Sequence, residues 1–158
     1  VQDSGIGMVV RANYNEESGM PSSSYGDHAL ELFGIGQANL RVVDKKGGLP
    51  RPSDIRSMLD TCDDFLEGEG RGVLVHCKGG FGRSVVLASC LAMSRFDVSG
   101  RALLGWVRIV RPGAITCPHQ EAFLKSLGGR VDVMRHCGKP CRADGSVNVS
   151  CGAPCCVQ

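Results

Sequence analysis

The chain has 158 residues, 42% hydrophobic and 22% charged, with a formal net charge of +2. That length and composition fit one ordinary globular domain with its own core. The weak net charge and the spread of basic residues between Arg95 and Arg111 give no footprint for nucleic acid, and the longest apolar stretch, Val85 to Met93, is too short to span a bilayer.

The sequence opens on Val1 with neither a basic leader nor an apolar targeting segment, and a strand-like run follows at once, so a further element is expected ahead of it. Residues 6 to 12 (IGMVVRA) read as a short strand. Residues 22 to 36 contain a short helical stretch opened by serines and closed by glycines, and residues 39 to 44 (NLRVVD) are again strand-like. From Pro52 to Leu66, the residues Ile55, Met58, Leu59, Cys62, Phe65 and Leu66 recur on one face of a helix. Ser53 is the expected cap.

GVLVH (72 to 76) is unbroken apolar before its histidine, as in a parallel strand covered on both faces. SVVLASCLAMSRF follows and reads as a buried helix. A helix from Ser99 to Arg111 carries Leu103, Leu104, Trp106, Val107 and Val110, and a last one runs from Pro118 to Leu127. Strands alternating with helices predict an α/β fold, a small, largely parallel sheet with helices on both faces.

Nine cysteines form an odd set without the regular spacing of a secreted disulfide framework, which points to a reducing compartment, cytoplasm or nucleus. Five of them, Cys137, Cys141, Cys151, Cys155 and Cys156, follow Gly128 and Gly129 in a stretch with few large apolar residues. The expected organisation is a domain over 1–129 and a disordered Cys/Gly-rich extension over 130–158. The spacing C-x3-C-x9-C-x3-C in that extension is looser than the paired ligands of closed zinc sites, so zinc is the weaker reading.

One stretch carries chemistry: VLVHCKGGFGRSVV, residues 73 to 86. A C-x5-R pair alone says little, since chance places about one in a chain of this composition. Its setting says more. A strand delivers Cys77, glycines at 79, 80 and 82 turn the chain so that successive amides point inward, and a helix begins near Arg83. Amides, helix dipole and a bidentate guanidinium make a cradle for a dianion such as phosphate. The same field acts on the thiol: lowering an ordinary cysteine by ~3 pH units takes ~4 kcal/mol of preferential thiolate stabilisation, which those donors and the Ser84 hydroxyl can supply together. An inert buried thiol beside a plain turn would leave Arg83 facing a helix N-terminus with no anion to justify it. A Walker-type nucleotide loop needs Lys-Ser or Lys-Thr after the glycines, and none follows.

HCKGGFGRS resembles the H-C-x-x-G-x-x-R-[ST] signature of the cysteine-dependent protein phosphatases, and VVRAN, NLRVVD and WVRIVRPGAITCPHQEAFL resemble segments of their dual-specificity branch, in particular the mitotic-exit, CDC-fourteen-like group and small atypical relatives. The resemblance covers most of residues 6 to 127. It implies Cys77 as nucleophile, Arg83 as phosphate clamp, Ser84 as the hydroxyl that steadies the thiolate and helps it leave, and the loop Lys78, Gly79, Gly80, Phe81, Gly82 and Arg83 as the substrate cradle. His76 would shape the surroundings of the thiol. Asp44, at the end of a strand and the start of a loop, is the expected general acid, with Asp54 second and more readily a helix cap. Gln120 would position the hydrolytic water; His119 is a weaker candidate. No metal and no cofactor are implied.

Three departures stand out. Val85 replaces the glycine usual after the Ser or Thr, the acid loop DKKGGLPRP is long, and the preceding domain with which the mitotic-exit group builds its substrate groove lies outside this chain. The expected activity is hydrolysis of phosphotyrosine, and of phosphoserine and phosphothreonine, through a phosphocysteine, in a monomer whose partners are phosphorylated proteins. A phosphate-binding adaptor without turnover is the alternative. Sulfur transfer or arsenate reduction on a similar loop ranks third.

Overall fold

The computed structural model describes residues 5–45, 47–68 and 71–140. Three parallel strands, β1 (Ile6–Arg11), β2 (Gly36–Asn39) and β3 (Gly72–His76), form one sheet in the order β2-β1-β3. The expected α/β class is what forms. β1 lies at the centre and is buried along nearly its whole length, which suits its apolar sequence. β3 lies at the edge of the sheet, and the exposure of its Leu74 shows that it is not covered on both faces as expected.

β2 ends earlier than NLRVVD suggests because Arg41 takes a left-handed backbone, φ +50°. The chain nevertheless keeps company with β1: Leu40 N–H bonds the Arg11 carbonyl at 2.9 Å and Val42 N–H the Ala12 carbonyl at 2.7 Å. That tether brings Asp44 to the C-terminal end of the sheet, where Cys77 emerges. Between β1 and β2 the expected helix is only a 3-10 turn, Glu31–Phe33, closed by Gly34. This segment covers the side of β1 that carries Arg11, whose guanidinium, fully buried, bonds the Tyr25 carbonyl and Asp27.

Among the described residues five α-helices pack with the sheet: α1 (Pro52–Gly68), α2 (Arg83–Phe96), α3 (Gly100–Val110), α4 (Pro118–Ser126) and α5 (Arg130–Cys137). α1 presents the expected face, with Ile55, Met58, Leu59 and Cys62 fully buried. Its start is held by Asp54, not Ser53: the carboxylate accepts the Arg51 N–H at 3.0 Å and pairs with the Arg51 guanidinium. Val86, Leu87, Cys90 and Met93 of α2 meet them in the core, together with Leu104, Ile115 and Leu124. α3 is less buried than its apolar content suggests; Leu104 faces the core, whereas Trp106 and Val110 are exposed.

The boundary expected at residue 129 is corrected. Residues 130–137 form a helix, and its Val133, Met134 and Cys137 belong to the core beside α1 and α2. The next residue but one, Lys139, is buried between Asp60 and Asp63 of α1. Two apolar residues in succession and a third a turn later suffice for a short helix to dock, although the segment is polar overall. Cys137 is therefore a core residue, and the remaining cysteines of the expected extension lie outside the described residues.

Candidate active site

β3 ends at His76, the loop 77–82 turns back, and α2 begins at Arg83. Gly80 holds φ +70°, a conformation that a side chain resists, and this turn aims its N–H at the thiol. Cys77 Sγ lies 3.2 Å from the Gly80 nitrogen and 3.2 Å from Ser84 Oγ. Burial raises the Cys77 pKa and is the largest single influence on it. Opposing it are the Ser84 hydroxyl, the Ser84 and Gly80 amides and the Arg83 charge, and together they prevail, leaving Cys77 below the ordinary thiol value. Cysteines in the core behave oppositely: burial pushes Cys62 up to about 11 and Cys90 up to about 12. The difference is the ring of donors, which only the loop supplies.

His76 is half-buried. Its Nε2 meets the Tyr25 hydroxyl and its Nδ1 lies 3.4 Å from the Cys77 carbonyl. Burial, aided by the Arg11 charge, lowers its pKa, although the Cys77 carbonyl opposes them. The ring buttresses the backbone of Cys77.

Arg83 is buried, and its guanidinium is gripped from several sides. Nη1 donates to Glu17 Oε1 at 2.6 Å and to the Val42 carbonyl at 2.8 Å; Nη2 donates to Glu17 Oε2 at 2.8 Å and to Asp44 Oδ2 at 3.1 Å. Asp44 thus reaches the site, through the arginine, with a side chain that is 55% exposed. Glu17 is the residue sequence reasoning missed. It sits in NYNEESGM, in the loop after β1, and Arg83 holds its carboxyl below the usual range.

The rim is equally defined. Lys78 Nζ donates to the Ser18 carbonyl, tying the cradle to the Glu17 loop. Phe81 is exposed, with the Arg111 guanidinium 4.4 Å above its ring and bonded to the Gly79 carbonyl at 3.2 Å. Gln120 is buried; its Nε2 donates to the Gly48 carbonyl at 3.1 Å, and a Cβ on Gly82 would come within 2.7 Å of its Oε1. It therefore spans the acid loop and the cradle. Asp54 caps α1, and His119 is exposed.

Chemically, the arrangement offers a thiol of lowered pKa within reach of loop amides, a guanidinium next to it and a carboxylate within reach of the guanidinium. Among the described residues no cluster of His, Cys, Asp and Glu is arranged to hold a metal ion, and no helix is long and apolar enough to cross a membrane.

No family model matches the chain. In sequence it is similar to the tyrosine-protein phosphatase cdc-14 of Caenorhabditis elegans, 41% identical over 120 residues, which is 76% of this chain and 15% of that protein. It is also similar to the dual specificity protein phosphatase CDC14A of Mus musculus, 37% identical over 79 residues, 50% of this chain and 12% of that protein. The chain spans between 11% and 18% of the length of the curated relatives it matches. Among solved structures, Tk-PTP in its active form superposes with a TM-score of 0.64 at 27% identity, covering 80% of this chain and 82% of that one. PTPMT1 superposes with a TM-score of 0.65 at 22% identity, covering 78% and 76%, a likeness of fold. By sequence and by fold, the chain is a relative of the cysteine-dependent phosphatases, on their dual-specificity branch.

Proposed function

We propose that this domain hydrolyses phosphate monoesters of protein side chains, phosphotyrosine together with phosphoserine and phosphothreonine, through a phosphocysteine on Cys77. The observation that carries the reading is the contrast between Cys77, lowered by Gly80, Ser84 and Arg83, and the core thiols, raised by burial. The thiolate attacks phosphorus, the P–O bond to the side chain breaks, and the leaving oxygen takes a proton from Asp44. A water, oriented by Gln120, then gives its proton to Asp44 and breaks the P–S bond, releasing phosphate and the thiolate. Loop amides and Arg83 stabilise the equatorial oxygens throughout.

Ser84 has two parts in this scheme: its hydroxyl steadies the sulfur before attack and again as it departs. A thiolate of this kind is readily oxidised, which supports a reducing compartment, cytoplasm or nucleus, as its setting. The test is hydrolysis of an aryl phosphate in the presence of EDTA by the wild type and by Cys77→Ser. Turnover by the wild type and none by the variant is expected; equal turnover by both would overturn the reading.

A further inference from the structure

Beside the Cys77 cradle lies a second opening, a cavity of about 440 Å³ between the loop after β1, the stretch that follows β2 and the start of α1. Tyr14, Arg41, Lys45, Leu49, Arg51 and Asp54 are among the residues that line it. It adjoins the cradle through two backbone neighbours. Val42, in its wall, accepts Arg83 Nη1 at 2.8 Å, and Lys45 directly follows Asp44, whose carboxylate meets Arg83 Nη2 at 3.1 Å. An extended peptide advances about 3.4 Å per residue, so side chains within about three residues of a phosphate held in the cradle can reach this opening.

The charges facing this cavity do not balance. Asp54 is engaged locally: it accepts the Arg51 N–H at 3.0 Å, Nε at 3.1 Å and Nη2 at 2.9 Å. Asp27 is shared by Arg41 and the buried Arg11. Two carboxylates therefore serve three guanidiniums, and Lys45, exposed, has no ion-pair partner among the described residues. Arg41 is also held at φ +50°, a left-handed backbone that a side chain resists, and its guanidinium stays half-exposed at the cavity despite the pair with Asp27. Cations gathered on one opening repel one another, and an anion placed between them removes that repulsion. Tyr14 and Leu49 add an aromatic and an aliphatic wall, the apolar sides that a pocket for a side chain needs.

We infer that this cavity takes a second anionic side chain of a phosphorylated peptide, a carboxylate or a phosphate carried within about three residues of the phosphate being hydrolysed, and that Lys45, Arg41 and Arg51 select for it. The inference rests on the proposed function for its turnover readout, but its structural content is a statement about peptide binding. Lys45 supplies three donors, and the Arg51 Nη1 group, which Asp54 does not use, supplies two more. Selection is electrostatic: these cations favour acidic neighbours of the phosphorylated residue and disfavour basic ones.

The experiment measures kcat/KM at low salt for phosphotyrosine peptides whose flanking residues are glutamate, phosphoserine, alanine or lysine. Wild type is compared with Lys45→Ala combined with Arg41→Gly, the latter suited to the left-handed backbone, and with Arg135→Ala, which removes one charge on α5 outside the cavity. Thermal unfolding confirms that each variant folds. An anionic flank is expected to raise kcat/KM about tenfold over alanine, and lysine to lower it. The double variant should bring the ratio of anionic to alanine-flanked peptide within about twofold of one, and Arg135→Ala should keep it. Lys45→Glu, a change at an exposed residue, should by itself lower that ratio about threefold or more. A gain from glutamate or from phosphoserine supports the cavity and names its ligand. Equal rates for all flanks in the wild type would overturn the inference, as would a preference that survives both the double variant and Lys45→Glu, or that Arg135→Ala abolishes equally. Cys77→Ser, which binds without turnover, separates the two readings. If the wild type hydrolyses nothing, the proposed function alone is refuted, and tighter binding of the anionic peptides by Cys77→Ser, read by fluorescence anisotropy, upholds the inference. Equal binding of every peptide overturns it, and binding of none overturns both.

Discussion

Cys77 Sγ and Ser84 Oγ stand 3.2 Å apart across the mouth of α2, and this contact is the strongest of the influences that lower the thiol. Because the hydroxyl stabilises sulfur as an anion, its removal should slow the step in which sulfur leaves phosphorus more than the step in which it attacks. Ser84→Ala is expected to accumulate phosphoenzyme, seen as a rapid burst of aryl alcohol followed by turnover slowed by about tenfold or more. A loss of burst amplitude with unchanged steady-state turnover would contradict this role.

Asp44 has two relations with the site that a single substitution separates. As the proposed general acid it would matter most for poor leaving groups, so Asp44→Asn should slow an alkyl phosphate by on the order of a hundredfold and a nitrophenyl phosphate much less. As a ligand of Arg83 it competes with the incoming dianion. The same variant should therefore bind tungstate more tightly while turning over more slowly. Uniform loss across leaving groups would remove Asp44 from the acid's role.

The domain should include α5. A chain stopped after Pro140 keeps Val133 and Met134 in the core, whereas one stopped after Gly129 loses them. Single large-to-small changes at such positions cost about 2–5 kcal/mol, so removing the helix should abolish cooperative thermal unfolding. Equal unfolding temperatures for the two chains would return α5 to the surface.

Alkaline stability follows from the core thiols. Their folded-state values, about 11 for Cys62 and about 12 for Cys90, lie above the ordinary 9.0, so above pH 9 the unfolded chain releases protons that the folded chain retains. Stability is thus full below pH 9 and declines as pH rises toward 11, by about 1.4 kcal/mol per pH unit for each thiol. The urea midpoint measured from pH 8 to 11 checks this. Cys90→Ala should start lower, by about 1 kcal/mol, and decline less steeply.

The strand, cradle and helix around Cys77 were legible because each is dictated locally: a run of apolar residues, then glycines, then a helix-forming segment. The face of α1 was legible from its period. What stayed hidden depends on long-range or backbone facts. Glu17 is 66 residues from Arg83, and a Glu-Glu pair in a loop reads as solvated surface until the fold closes over it. Arg41's left-handed backbone shortens β2 with no glycine to announce it. In α5, Val133, Met134 and Cys137 are too few to stand out among charged neighbours, yet they land on an open part of the core. Trp106 misled in the other direction, since a large apolar residue on an amphipathic helix is expected inside and here is exposed.

The central claim concerns the charge on one sulfur atom. Alkylation of the folded protein by iodoacetamide across pH, with each cysteine followed separately by peptide mass spectrometry, reads that charge directly. Cys77 should react with a midpoint below the ordinary thiol value of 9.0, should be protected by tungstate, and should move up in Ser84→Ala. A midpoint at or above 9.0, in the company of Cys62 and Cys90 and indifferent to tungstate, would contradict the account.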